Sequence, residues 1–233
     1  MEPIRVLQVV PNMQAGGLES FIMNVYRHID RNKVQFDFLV HYNKHCFFDD
    51  EIENLGGTIY QFSVREDNRV FKYIRALNRF FREHTEYKVI HGHMASLAFI
   101  YLYVAKKYKI PIRIIHSHNS KTEKTMKGYC KLFLSKFAKR NANTRFSCSK
   151  MAGKFLFGNK NYKVIPNAID IDKLKLLRND KWRYVNGTGK KFGNKICEVF
   201  WYFFRRKYFV KSHCFLHVTG LYKIHHPCGL WIL

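Results

Sequence analysis

Two short histidine pairs, His91-Gly92-His93 and His116-Ser117-His118, each close an apolar run. Within a strand, an H-x-H spacing points both rings to the same side, because side chains alternate with a period of two. Imidazoles there can share protons, hydrogen-bond a ligand or bind a metal. The pairs lack the carboxylate and the spacing of known zinc motifs, so no metal is expected. They also fit polar side chains that only satisfy a sheet edge. A third feature is Gly16-Gly17-Leu18-Glu19, placed between an apolar run and an amphipathic segment. Strand, glycine loop and helix together favour an anionic or hydroxyl-rich ligand at the free N–H groups of the helix. The same glycines also fit a plain tight connection. No G-x-G-x-x-G, G-x-S-x-G, Walker loop or H-E-x-x-H is present, and Gly187-Thr188-Gly189-Lys190-Lys191 lacks the phosphate-loop spacing.

These residues need a scaffold that delivers them to one edge, and the chain up to about residue 178 has its grammar. Short apolar runs at Ile4–Val10, Phe36–Val40, Thr58–Phe62, Val89–His91, Ile112–His116, Thr144–Ser147 and Lys163–Ile165 read as strands buried on both faces. Helical periodicity separates several of them. Leu18, Phe21, Ile22, Val25, Tyr26 and Ile29 share one face of a helix over Leu18–Ile29. Val70, Phe71, Ile74, Leu77 and Phe81 form a stripe over Val70–Phe81, with Lys72, Arg75, Arg79 and Arg82 mainly opposite. A third helix spans Ser96–Lys107, its Lys106-Lys107 end suiting the helix dipole. The fold expected is α/β, a Rossmann-like parallel sheet flanked by helices, which sets the ends of the histidine-bearing strands on one ligand-binding rim.

The chain has 233 residues, 47% of them hydrophobic, with 41 Lys+Arg against 17 Asp+Glu. That excludes whole-chain disorder, and no window reaches the roughly 18 uninterrupted apolar residues of a membrane span. The net charge of +24 suits polyanions in general: nucleic acid, an anionic membrane or phosphorylated ligands. The opening MEPIRVLQVVPN lacks the apolar core and cleavage site of a secretory leader, so a cytoplasmic location is expected. The six cysteines form no C-x-x-C pair and are expected as reduced thiols, mostly buried. From Asn179 the character changes: Trp182, Trp201 and Trp231 crowd with cations, and Glu198 is the only acid after Lys181. Residues 1–175 are thus expected to form the folded domain and 176–233 an irregular basic, aromatic tail.

Gly16-Gly17-Leu18-Glu19, Arg113-Ile114-Ile115-His116-Ser117-His118-Asn119, Phe146-Ser147-Cys148-Ser149 and Val164-Ile165-Pro166-Asn167-Ala168-Ile169-Asp170 follow one another in order. In these motifs the chain, from about Ile4 to Leu174, resembles the N-terminal half of a retaining glycosyltransferase of family four, the kind that builds bacterial capsule or exopolysaccharide. The resemblance implies the acceptor-side domain of a GT-B fold, with a nucleotide-sugar donor as substrate, a lipid-linked or saccharide acceptor, and neither cofactor nor metal. It implies that His118 approaches the donor sugar and stabilises the reacting centre. Gly16, Gly17 and Glu19 match the glycine loop bordering donor phosphates and acceptor, Asn119 follows His118 in the motif, and Ser147 and Ser149 match a serine region. Ser149 is also placed to cap the next helix. His93 is expected to line the acceptor pocket.

The departure lies after Asp170. A second domain with a phosphate-binding Lys and an E-x7-E segment is implied, yet neither is visible, and the 63 residues beyond Asp170 are too few for it. The expectation is a shortened transferase, inactive alone unless a separate polypeptide supplies the donor domain, and peripheral on the inner membrane through Lys72, Arg75, Arg79 and Arg82. The alternative is a non-catalytic basic module for membranes or polyanions, resting on the charge and on Phe200-Trp201-Tyr202-Phe203-Phe204-Arg205-Arg206-Lys207. Nucleic acid is the least favoured partner.

Overall fold

A computed structural model describes residues 2–63, 70–121 and 124–167. The expected tail and the residues Ala168, Ile169 and Asp170 lie outside the described residues. Seven strands alternate with helices: β1 (Ile4–Val9), α1 (Gly17–His28), β2 (Val34–Val40), α2 (Asp49–Asn54), β3 (Ile59–Gln61), α3 (Val70–Glu83), β4 (Val89–Gly92), α4 (Ala98–Lys107), β5 (Ile112–Ser117), α5 (Met126–Asn141), β6 (Thr144–Ser147), α6 (Lys150–Phe157) and β7 (Lys163–Val164). The sheet order is β3-β2-β1-β4-β5-β6-β7, and every neighbouring pair is parallel. Order reverses between β1 and β4, so the crevice at the carboxyl ends of those two strands is the topological switch point of a Rossmann-like sheet.

Period-two alternation divides the strands between two layers. Leu7, Val9, Leu39, Ile90 and Ile115 turn toward α3, α4 and α5, joining Tyr73, Leu77, Phe80, Tyr101 and Ala138 in one core. Gln8, His91 and His116 alternate to the opposite face, where Phe21 of α1 meets the His116 ring edge-on. Helix α1 buries Phe21, Ile22, Val25 and Tyr26 of the expected stripe, while Leu18 and Ile29 are half-buried and Met23, outside that stripe, is fully buried. Between His91 of β4 and His93 just past it, Gly92 faces the other layer, where an added Cβ would run into the buried Tyr101 ring. Tyr101 in turn donates to the Met94 carbonyl at 2.8 Å. Glycine is thus the residue that lets α4 lie against β4 between two imidazoles.

The seven expected strands are present, six of them with ends shifted by one or two residues, but β3 and β7 lie at the sheet edges and are half-buried to exposed, against the expectation of burial on both faces. The stripe of α3 differs from expectation: Phe71 is 82% exposed and Val70 is also exposed, whereas Tyr73, Leu77, Phe80 and Phe81 are buried. Tyr73 takes the inner place because its hydroxyl has a buried partner, His41 Nε2, at 2.8 Å. Helices α2 and α5 were not anticipated. Met126, Tyr129, Phe133 and Phe137 of α5 are all exposed, so its apolar pattern does not mark the buried side. Its start is set by Thr125, whose Oγ1 accepts the Gly128 N–H at 3.1 Å. Of the three described cysteines, only Cys46 is buried, Cys148 is half-buried and Cys130 is exposed on α5, against the expectation of mostly buried thiols.

One buried charge ties the sheet together. Asp37 of β2, fully buried, accepts from Arg5 Nε at 2.7 Å, Tyr87 Oη at 2.9 Å and the Thr58 N–H at 2.8 Å, and also pairs with Arg5 Nη2. Removing one partner of a buried pair costs about 3–5 kcal/mol. Arg5 keeps 31% side-chain exposure and can rehydrate, which places Asp37→Ala at the low end, about 3 kcal/mol. Urea unfolding of this variant should show that loss, and an unchanged midpoint would contradict it.

Candidate functional site

The carboxyl ends of β1, β4 and β5 surround a cavity of about 330 Å³ lined by Pro11, Leu18, His93, His116, His118 and Asn119, among others. Its position follows from topology, because parallel strands end on the same edge and the order reverses there. The two H-x-H pairs interlock across the β4–β5 ladder. Ring centroids are 4.1 Å apart within each pair, and 5.3 Å and 5.2 Å apart across the strands for His91–His116 and His93–His118. His91 Nε2 lies 3.2 Å from His116 Nδ1, and His93 Nδ1 lies 3.0 Å from His118 Nε2. His93 Nε2 reaches Gln8 Oε1 at 2.9 Å. Phe21 and Phe146 close the cluster, each meeting His116 edge-on.

Burial decides the charge of these rings. It lowers the His118 pKa to about 4, and burial together with repulsion from His118 lowers that of His91 to about 3. It also holds His93 and His116 well below the ordinary histidine value, again helped by repulsion from neighbouring rings. Four imidazoles in contact are therefore neutral at pH 7, and each interstrand pair shares one proton between two nitrogens. His116 Nε2 and His118 Nδ1 are buried with no hydrogen-bond partner.

Neutral imidazole is also the form that binds metal, and among the described residues His91, His93 and His116 each offer a ring nitrogen within 4.8 Å of the other two. No carboxylate joins them. A zinc–imidazole bond of about 2.0–2.1 Å would need the shared protons gone from the interstrand pairs.

The remaining expected residues divide by position. Asn119 lies exposed at the cavity wall. Gly16 has an extended backbone and Gly17 is the first residue of α1, so neither needs the left-handed region. Conformational freedom therefore does not explain the glycine pair, contrary to the strained-turn reading. What Gly17 provides is room: an added Cβ there would find nothing within 4 Å. Gly16 gives helix α1 no side-chain cap, so the Gly17 and Leu18 N–H groups head its first turn, whereas the Glu19 N–H is taken by its own carboxylate. Glu19, in the first turn, has its pKa raised by partial burial, partly offset by its own backbone N–H. Ser147 and Ser149 lie outside the cavity lining: Ser147 Oγ donates to the Ser149 carbonyl at 2.7 Å, and Ser149 Oγ caps α6 by accepting the Ala152 N–H at 3.1 Å. The capping expected of Ser149 is present. Gln8 was missed by sequence reasoning, although a lone amide amid the apolar run Val6-Leu7-Gln8-Val9-Val10 was a signal of a buried polar partner.

Comparison with known proteins gives four findings. Residues 15–173 match Glycosyltransferase Family 4. The chain is 32% identical over 176 residues to EpsF of Bacillus subtilis (strain 168), named as a glycosyltransferase, covering 72% of this chain and 46% of that protein. It is 25% identical over 121 residues to CapH of Staphylococcus aureus, named as a glycosyltransferase of capsular polysaccharide biosynthesis, covering 52% of this chain and 32% of CapH. Among solved structures, Anabaena HepE, crystallised with UDP, shares the fold with a TM-score of 0.54 at 15% identity, over 72% of this chain and 45% of HepE. The chain thus spans less than half the length of these relatives.

The neutral cluster has a consequence for stability. Unfolded histidines titrate near 6.5 while these four titrate lower when folded, so the unfolded state binds more protons as pH falls. Their contribution is fully present above pH 6.5 and declines from there toward pH 4, by at most about 1.4 kcal/mol per pH unit per histidine. Urea unfolding should give equal stability at pH 8 and 7 and a steep drop between 6.5 and 5, above the carboxylate range. A flat profile across that interval would contradict the neutral cluster.

Proposed function

Since the chain belongs to glycosyltransferase family 4, we propose that it is the acceptor-side half of an enzyme that moves a sugar from a nucleotide-sugar to a lipid-linked or saccharide acceptor in capsule or exopolysaccharide synthesis. The observation that carries this reading is the histidine-walled cavity at the switch point, beside the uncapped start of α1. In such a transfer the bond from the anomeric carbon to the diphosphate breaks and one to an acceptor oxygen forms. The acceptor proton leaves, and retention places the new bond on the same face. His118 and Asn119 would touch the sugar as it moves, with His118 as the catalytic residue. His93 would line the acceptor side, and Gly16, Gly17 and Glu19 would border the phosphates: Gly17 opens onto free space at the start of α1, where N–H groups suit an anion, while the Glu19 carboxyl stands beside Gly16. Ser147 and Ser149 serve by holding β6 to α6. No metal takes part in this reading.

Neutralising a diphosphate leaving group falls to the donor side, and one lost donor of that kind costs around 10²–10³ in rate. The phosphate-binding Lys and the E-x7-E segment are not visible in these 233 residues. We infer that these 233 residues alone do not supply the donor side of the transfer, whichever polypeptide carries it. Incubation with a panel of nucleotide-sugars, with and without lipid-phosphate acceptors, should release no nucleoside diphosphate, while saccharide acceptors bind and lose binding in His118→Ala. Turnover by the chain alone, abolished by His118→Ala, would overturn the half-enzyme reading.

A lipid-linked acceptor places the work at the cytoplasmic face of the inner membrane. No helix among the described residues is long and apolar enough to cross a membrane. Lys72, Arg75, Arg79 and Arg82 of α3 are exposed along one side of that helix, and cations at an anionic surface contribute about 1 kcal/mol each. Co-sedimentation with phosphatidylglycerol vesicles should fall with salt and drop at least tenfold when all four become Gln. Equal binding to neutral vesicles would refute the electrostatic anchor.

A further inference from the structure

The hydrogen-bond chain at the cavity wall has a direction. Gln8 Oε1, an oxygen that can only accept, lies 2.9 Å from His93 Nε2, so His93 carries its proton on Nε2. Neutral His93 is then bare on Nδ1, and His118 Nε2, 3.0 Å away, must donate to it. Neutral His118 is left bare on Nδ1, the atom that is buried with no partner. The far end supports the same direction independently. Running the chain the other way would strand an N–H on His118 Nδ1, and buried orphan N–H groups are rarer than under-satisfied acceptors.

We propose that Gln8 and His93 are positioning residues that lock His118 in its Nε2–H tautomer, so that the ring offers only a lone pair on Nδ1. Gln8 is 1% exposed in β1 and His93 is 6% exposed just past β4, so both ends of the lock sit in rigid packing. Nδ1 is buried in this structure, so a group that reaches it must part the packing over it and bring its own hydrogen. A sugar hydroxyl does so, whereas an ionised phosphate oxygen does not, and this preference rests on the transferase reading given above. The lock itself requires no substrate.

The test is the tautomer of each ring, read from two-bond ¹H–¹⁵N correlation spectra of the full chain carrying ¹⁵N-labelled histidine at pH 7.5. The expected result is a protonated Nε2 and a bare Nδ1 on both His93 and His118. Gln8→Leu should abolish the single-tautomer pattern, moving the His118 Nδ1 signal toward the averaged position. A protonated Nδ1 on His118 in the unaltered chain would overturn the proposal. So would a Gln8→Leu spectrum in which all four rings are unchanged. Should Gln8→Leu fail to fold, the tautomers of His93 and His118 in the unaltered chain decide between the two directions. Because no sugar is present, failure here is distinct from failure to bind an acceptor.

Discussion

Four imidazoles in contact inside a parallel sheet cannot hold four charges, and among the described residues no carboxylate joins them to hold even one. Neutrality is therefore the constraint from which the site follows. A neutral ring has one N–H and one lone pair, so contact between two rings becomes a directed bond, and a chain of such bonds has a head and a tail. The tail here ends on an amide oxygen of β1 and the head at the cavity wall. Alternation along β4 and β5 supplies the spacing, and Gly92 lets Tyr101 of the opposite layer lie directly against the strand between the rings.

That arrangement suits one half of a group-transfer enzyme. Orienting a hydroxyl-rich ligand calls for fixed lone pairs and a dry wall, both of which the histidine cluster has. Neutralising a leaving diphosphate calls for fixed positive charge, which a cluster held neutral cannot supply. The division of labour in a two-domain transferase thus has a counterpart in the protonation chemistry of this single domain.

The parts of the molecule that depend on local alternation were legible in the chain. Strand positions, the inner face of α1, the common edge of the histidine pairs and the cap at Ser149 all follow from periods of two and 3.6 or from turn chemistry. The parts that depend on distant partners were not. Gln8 and His93 are 85 residues apart, and nothing in either neighbourhood names the other. Tyr73 displaced Phe71 from the inner stripe of α3 because of His41, which lies in another element. Helix α5 escaped because Met126, Tyr129, Phe133 and Phe137, the residues that carry its period, are on its outer side. The glycine pair was legible as a site but not for the reason glycine usually gives, since space rather than backbone torsion is what Gly17 supplies.

Asp37 has a consequence for how the chain reaches this fold. Its carboxylate joins Arg5, Thr58 and Tyr87, residues that arrive on three separate stretches of chain flanking β2. A slip of β2 by a single residue against β1 would turn Asp37 to the other face, among apolar side chains, and release every one of these partners at once. Parallel strands with apolar residues on both faces have little else to tell one register from the next. The buried carboxylate thus works as a proofreading device, making a misregistered sheet expensive before the histidines at its far edge have been brought together.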